Sequence, residues 1–91
     1  MLSLFRRKQF KKDFKKLIYN PVFDPKELEY VLSKLVTRES LEAKYLNHKL
    51  TGEFRGCFEC HVQPDVLLIY SVDEKRDTLY LLRIGSHSNL F

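Results

Sequence analysis

Apolar residues recur along this chain in two different rhythms. Over residues 8–19, Phe10, Phe14, Leu17 and Ile18 return at helical spacing, and Lys8, Lys11, Lys12, Lys15 and Lys16 fall on the opposite face. The short apolar stretch at 2–5 reads as a first strand. Asn20-Pro21-Val22-Phe23 is a break, after which residues 24–38 carry a second helical stripe of Leu28, Val31, Leu32, Leu35 and Val36. Three signals mark the start of this helix: Asp24 as cap, Pro25 in the first turn, and Glu27 completing a capping-box pattern. From residue 54 the rhythm changes. Residues 54–62, 66–72 and 78–84 read as strands, and the middle one is almost continuously apolar, as in a central strand. Residues 73–77 form a charged turn, and residues 39–52 a polar connection with a short turn near 41–45. Three strands on short connections predict an antiparallel meander. With the helices covering one face, the expected fold is α+β: an N-terminal helical hairpin packed on a small, mainly antiparallel sheet.

A length of 91 residues predicts one domain spanning 1–91. A chain this short buries about 60–70% of its unfolded surface, so a site is expected as a surface cleft. No apolar run approaches the roughly 20 residues of a membrane span. Charges follow a very short apolar stretch at the start of the chain, the reverse of a secretory signal, so a cytoplasmic protein with no membrane partner is expected.

The net charge of +4 is unevenly spread. Residues 1–20 hold seven Lys/Arg and one Asp, whereas the rest hold nine Lys/Arg and eleven Asp/Glu. Such a basic block suits nucleic acid, an acidic protein or an anionic surface, and equally a solvated helix face. Cys57-Phe58-Glu59-Cys60-His61 matches the pattern of haem attachment. On a strand, however, residues three apart point to opposite faces, so these thiols do not present themselves to one haem or one zinc. They are expected to be ordinary strand residues, with no haem, metal or other cofactor.

All three histidines, His48, His61 and His87, lie in the second half. The last nine residues add Arg83, a Gly turn, His87 between two serines, and Phe91. Cleaving RNA without a metal needs a base for the 2′-hydroxyl, an acid for the leaving 5′-oxygen, and a cation or donor for the charge-rich phosphorane. Histidine is the usual acid or base because its ordinary pKa lies near neutrality. Arg83 can supply a fixed, bidentate charge. His61, Asp65, Arg83 and His87 are expected to converge on one edge of the sheet. Lys12 and Lys16 are candidate phosphate contacts that carry no sequence information. Phe91 can stack on a base, worth about 1–3 kcal/mol, or simply anchor the tail. Each histidine taken alone fits a structural role as well; the set is what points to a site.

Three motifs in this order, His48-x-Leu50-x-Gly52, Glu59-Cys60-His61-Val62-x-Pro64-Asp65 leading into Leu68-Ile69-Tyr70, and Arg83-x-Gly85-Ser86-His87-x-x-Leu90-Phe91, resemble the YafQ-type branch of the RelE/ParE toxin superfamily. The resemblance runs over essentially the whole chain. It implies a microbial-RNase-like α+β fold and the toxin of a bacterial type II toxin–antitoxin system. It further implies an endoribonuclease that cuts mRNA, typically on the ribosome, and a cognate antitoxin that covers it. Carried over by motif, His48, His61, Asp65, His87 and Phe91 fall on positions implicated in cleavage. His87 is then the leading acid–base residue and Asp65 or His61 the base or its orienting partner. His48 would contact substrate and Arg83 would stabilise phosphate charge. Val66 stands where many relatives carry Trp, and Phe58 where many carry Arg. Two other functions compete: a gyrase-directed toxin of the ParE branch, which has no need of a histidine set, and a non-catalytic RNA- or antitoxin-binding module.

Overall fold

The computed structural model describes residues 1–91. Its elements in order are β1 (Ser3–Arg6), α1 (Lys8–Leu17), α2 (Pro25–Val36), β2 (His48–Lys49), β3 (Phe58–Gln63), β4 (Val66–Asp73), β5 (Thr78–Gly85) and a short α3 (His87–Leu90). The strands form one sheet in the order β1-β5-β4-β3-β2. β3, β4 and β5 are the expected antiparallel meander, whereas β1 runs parallel to β5 at the far edge. No helix is long and apolar enough to cross a membrane.

β4 is buried on both faces. Leu68 and Tyr70 point to the helix side, where they join Phe10, Leu17, Val31, Cys60, Leu79 and Leu81 in the main core. Leu67 and Ile69 point the other way and are covered by Leu90, with Leu50, Phe54 and Cys57 packed around them. Burying each such side chain contributes about 1.5–3 kcal/mol. α1 lies over β5 and α2 over β3. The second face has no long helix; a loop and the last few residues cover it.

Several boundaries differ from the periodicity. The strand expected over residues 54–62 begins only at Phe58, because Gly52–Phe54 is a one-turn 3-10 segment and Gly56 takes a positive φ of 89°. The polar connection holds a 3-10 turn, Ala43–Tyr45, and the two-residue strand β2, which pairs with β3. Asp24 caps α2 as expected, its carboxylate accepting the Lys26 N–H at 3.0 Å. The capping box does not close: the Asp24 N–H donates to Gln63 Oε1 at 2.8 Å, which ties the helix start to β3. Glu27 instead accepts from the Tyr45 hydroxyl.

One acidic side chain fastens α1 to the sheet. β1 covers the edge of β5 only as far as Leu81, so the strand beyond it lacks a partner. Asp13 fills that place. It accepts from Arg83 Nε at 2.7 Å, from Arg83 Nη2 at 3.2 Å and from the Ile84 N–H at 3.2 Å. Burial works to raise the Asp13 carboxyl's pKa, but the hydrogen bonds from Arg83, Gln9 and the Ile84 N–H outweigh it and hold it below its ordinary value. The contribution is therefore complete above the unfolded pKa of about 3.9 and is lost as pH falls through the folded value. We expect Asp13→Asn to cost about 2 kcal/mol at pH 7 by urea unfolding, and the difference from wild type to shrink in that acid range. An unchanged midpoint at pH 7 contradicts this assignment.

Candidate active site

Two groups of polar side chains flank the small second core. In the first, His48 and His61 meet a common carboxylate. Glu59 Oε1 lies 3.4 Å from His48 Nε2 and 3.8 Å from His61 Nε2. Glu59 is only 6% exposed, the one charged residue buried to that degree. The local reason is strand alternation: Phe58, Cys60 and Val62 enter the main core, so Glu59 and His61 share the opposite face. His48 reaches them because β2 pairs His48 with Glu59. That loop is pinned from below by the Tyr70 hydroxyl, which donates to Asn47 Oδ1 at 2.6 Å. Burial, with the nearby Cys60 adding to it, pushes the Tyr70 phenol up to about 12, so it remains a donor. The His48 ring is oriented by the Leu46 carbonyl, 2.7 Å from Nδ1.

The second group forms where the chain leaves β5. Ser86 caps α3, its Oγ accepting the Asn89 N–H at 3.3 Å. The His87 N–H donates to Asp65 Oδ1 at 3.4 Å, which joins the β3–β4 turn to the start of α3. The His87 and Phe91 rings lie 5.3 Å apart, and Phe91 meets Phe54 edge-on at 5.9 Å. Phe91 thus anchors the tail and still leaves 57% of its surface exposed, enough to receive a base. Leu90 holds the assembly down on Leu67 and Ile69. The register sets His61, Leu67 and Gly85 side by side on adjacent strands. At about 4.8 Å per strand, His61 and Gly85, which precedes His87 by two residues, stand roughly 10 Å apart at the backbone.

The expected convergence is therefore met in part. Asp65 and His87 come together, and Asp65 and Arg83 line one cleft. His61 turns instead to Glu59 and His48. Arg83 is not a free cation, because its guanidinium is engaged by Asp13, which raises its pKa further. Lys16 lines the same cleft as Arg83; Lys12 is exposed on α1 and does not line it. Two residues were missed. Glu59 was detectable as the neighbour of His61 at strand spacing, and Asp13 as an acid within the apolar stripe of a basic helix.

The cysteines lie on opposite faces, Cys60 in the main core and Cys57 against the smaller one. Burial pushes the Cys60 thiol up to about 12, and the Cys57 thiol is also raised by burial, so both are poor nucleophiles. No group of three His, Cys, Asp or Glu side chains is arranged to hold a metal ion.

Residues 2–91 match the family model described as the bacterial toxin of type II toxin–antitoxin system, YafQ. The chain belongs to the YafQ toxin family. It is 36% identical over 84 residues to the mRNA interferase toxin YafQ of Escherichia coli K12, covering 91% of this chain and 88% of that protein. A metal-bound toxin from Helicobacter pylori superposes with a TM-score of 0.93 at 44% identity, over 100% of both chains. The E. coli DinJ–YafQ complex matches with a TM-score of 0.85 at 33% identity, over 100% of this chain and 99% of that one. The α+β architecture is that of solved YafQ structures.

Leu90 is the buried apolar residue of the tail. Leu90→Ala removes the cover over Leu67 and Ile69, and we expect a loss of about 2–3 kcal/mol. We also expect faster amide exchange over residues 86–91 by NMR. Unaltered exchange there indicates that something other than Leu90 seats the tail.

Proposed function

We propose that this chain is the toxin of a type II toxin–antitoxin pair and an endoribonuclease that cuts mRNA in the cytoplasm, with residues 1–91 acting as one toxin domain. The observation that carries this reading is the gathering of all three histidines with Asp65 and Glu59 around the sheet face that the long helices leave uncovered. Membership of the YafQ family, whose E. coli relative is named an mRNA interferase, supports it.

In this mechanism the 2′-hydroxyl gives up a proton and its oxygen attacks the adjacent phosphorus. The bond from phosphorus to the 5′-oxygen then breaks, and that oxygen takes a proton. His87 is one proton-transfer group, placed by the bond from its own N–H to Asp65. The His48–Glu59–His61 group serves the other transfer, and Arg83 stabilises charge at phosphorus while Asp13 holds it in place. Phe91 stacks on a base beside the cut. The reaction runs on acid–base chemistry and charge stabilisation, contributing about 10²–10⁴-fold for each positioned proton-transfer group. The substrate is mRNA undergoing translation, and the toxin's activity is silenced by a cognate antitoxin, as the E. coli DinJ–YafQ complex suggests for its own partners.

Induction of wild type in a bacterial host is expected to arrest growth and create new mRNA 5′ ends in frame with translation. His87→Ala and Glu59→Gln should each reduce the new ends at least about 100-fold while the purified variants still melt cooperatively. Equal arrest by wild type and His87→Ala without new ends points to a binding or gyrase-directed mode instead.

A further inference from the structure

A polar cleft of about 370 Å³ opens between α1 and the corner where β5 turns into α3. Asp65 belongs to its lining, so the cleft begins where the candidate active site ends. Arg83 and Asp13 also line it, whereas Gln9, Lys16, Asn20 and Asn89 have no part in the mechanism above. Asn20 uses its side-chain oxygen to hold a turn, accepting the Val22 N–H at 2.9 Å, and keeps its NH₂ free to donate. Gln9 gives its NH₂ to Asp13 at 3.1 Å and keeps its oxygen free to accept. Asn89 is engaged through its backbone N–H, and its side-chain amide is free in both senses. Lys16 takes part in none of the ion pairs of the chain.

Unpaired bases are read in proteins by stacking or by hydrogen bonds to their edges. No aromatic ring lines this cleft, so stacking is left to Phe91 outside it. Amides, by contrast, offer the paired donor and acceptor that a base edge requires. A protein side chain seeking burial finds little here, since Leu17 and Ile84 are the only apolar lining residues.

We propose that this cleft is a subsite for one unpaired nucleotide adjoining the cut, its base edge read by Asn20 and Asn89 and its phosphate met by Lys16. The proposal rests on the ribonuclease reading and extends it from where the strand is cut to which nucleotide lies next to the cut. A strand crossing His87 and Asp65 continues into this opening, which the Asp13–Arg83 pair also lines.

The test is cleavage of an RNA library randomised on both sides of the mapped cut by wild type, Lys16→Ala and the Asn20→Ala/Asn89→Ala double variant, with thermal melts of each. Wild type is expected to prefer a base about fivefold or more at one adjoining position, and the double variant to keep cutting with that preference flattened. Lys16→Ala is expected to keep the preference, raise KM about fivefold and lower the salt slope by about 0.7. A wild type without preference, or one whose preference survives the double substitution in folded protein, overturns the subsite while leaving the ribonuclease reading intact. A wild type that cuts no RNA, in solution or in a translation system, removes both.

Discussion

The structure depends on one constraint: β4 is apolar on both faces and must be covered twice. Leu68 and Tyr70 require the two helices, and Leu67 and Ile69 require a second cover that the chain has little material left to make. The solution is a pair of short segments, the 50–57 loop and the last few residues. That economy has a functional consequence. The side chains that cover Leu67 and Ile69 are neighbours in sequence of His48, His87 and Phe91, so closing the second core also brings the polar groups together. Packing and site assembly are the same event on this face.

The basic helix is held by an analogous economy. Seven cations crowd residues 1–20, yet their single acid, Asp13, sits on the buried stripe and completes the open edge of β5. An ion pair that is partly shielded from water and completed by a backbone N–H has more effect than a surface pair, whose worth is about 0–1 kcal/mol. It fixes Arg83 against α1 at the edge of β5 and leaves the lysines to face solvent. Fixed geometry near the proposed cut and loose positive charge around it are what a small protein needs to bind a phosphodiester strand without a deep pocket.

Much of this was legible in the chain. Helical spacing at Phe10, Phe14 and Leu17, the cap at Asp24, and the unbroken apolar run 66–72 led to the right elements because burial demands them. The α+β class followed from their order. Less visible were pairings between segments distant in sequence. Nothing local in Ser3–Arg6 says that it lies parallel to β5, and nothing in His48–Lys49 announces a two-residue strand on β3. The site divides in the same way. Asp65 and His87 were expected together and meet, whereas His61 was expected to join them and instead shares Glu59 with His48. That outcome hangs on the register of β2, which short-range patterns do not encode. The roles of Asp13 and Glu59 went unread because an acid in a strand or helix is ordinarily a solvated residue, and burial is a property of the assembled sheet.

The central claim is that this face of the sheet moves protons to and from a ribose hydroxyl and a leaving oxygen. The most direct test is an mRNA carrying a single 2′-deoxynucleotide on the 5′ side of the mapped cut, supplied to the purified toxin in a reconstituted translation system. The account predicts that cutting at that bond stops while neighbouring sites are unaffected. It further predicts that the all-ribose message yields a 2′,3′-cyclic phosphate at the new end. Undiminished cutting of the deoxy-substituted bond would contradict it, because the attacking oxygen would then have to come from elsewhere.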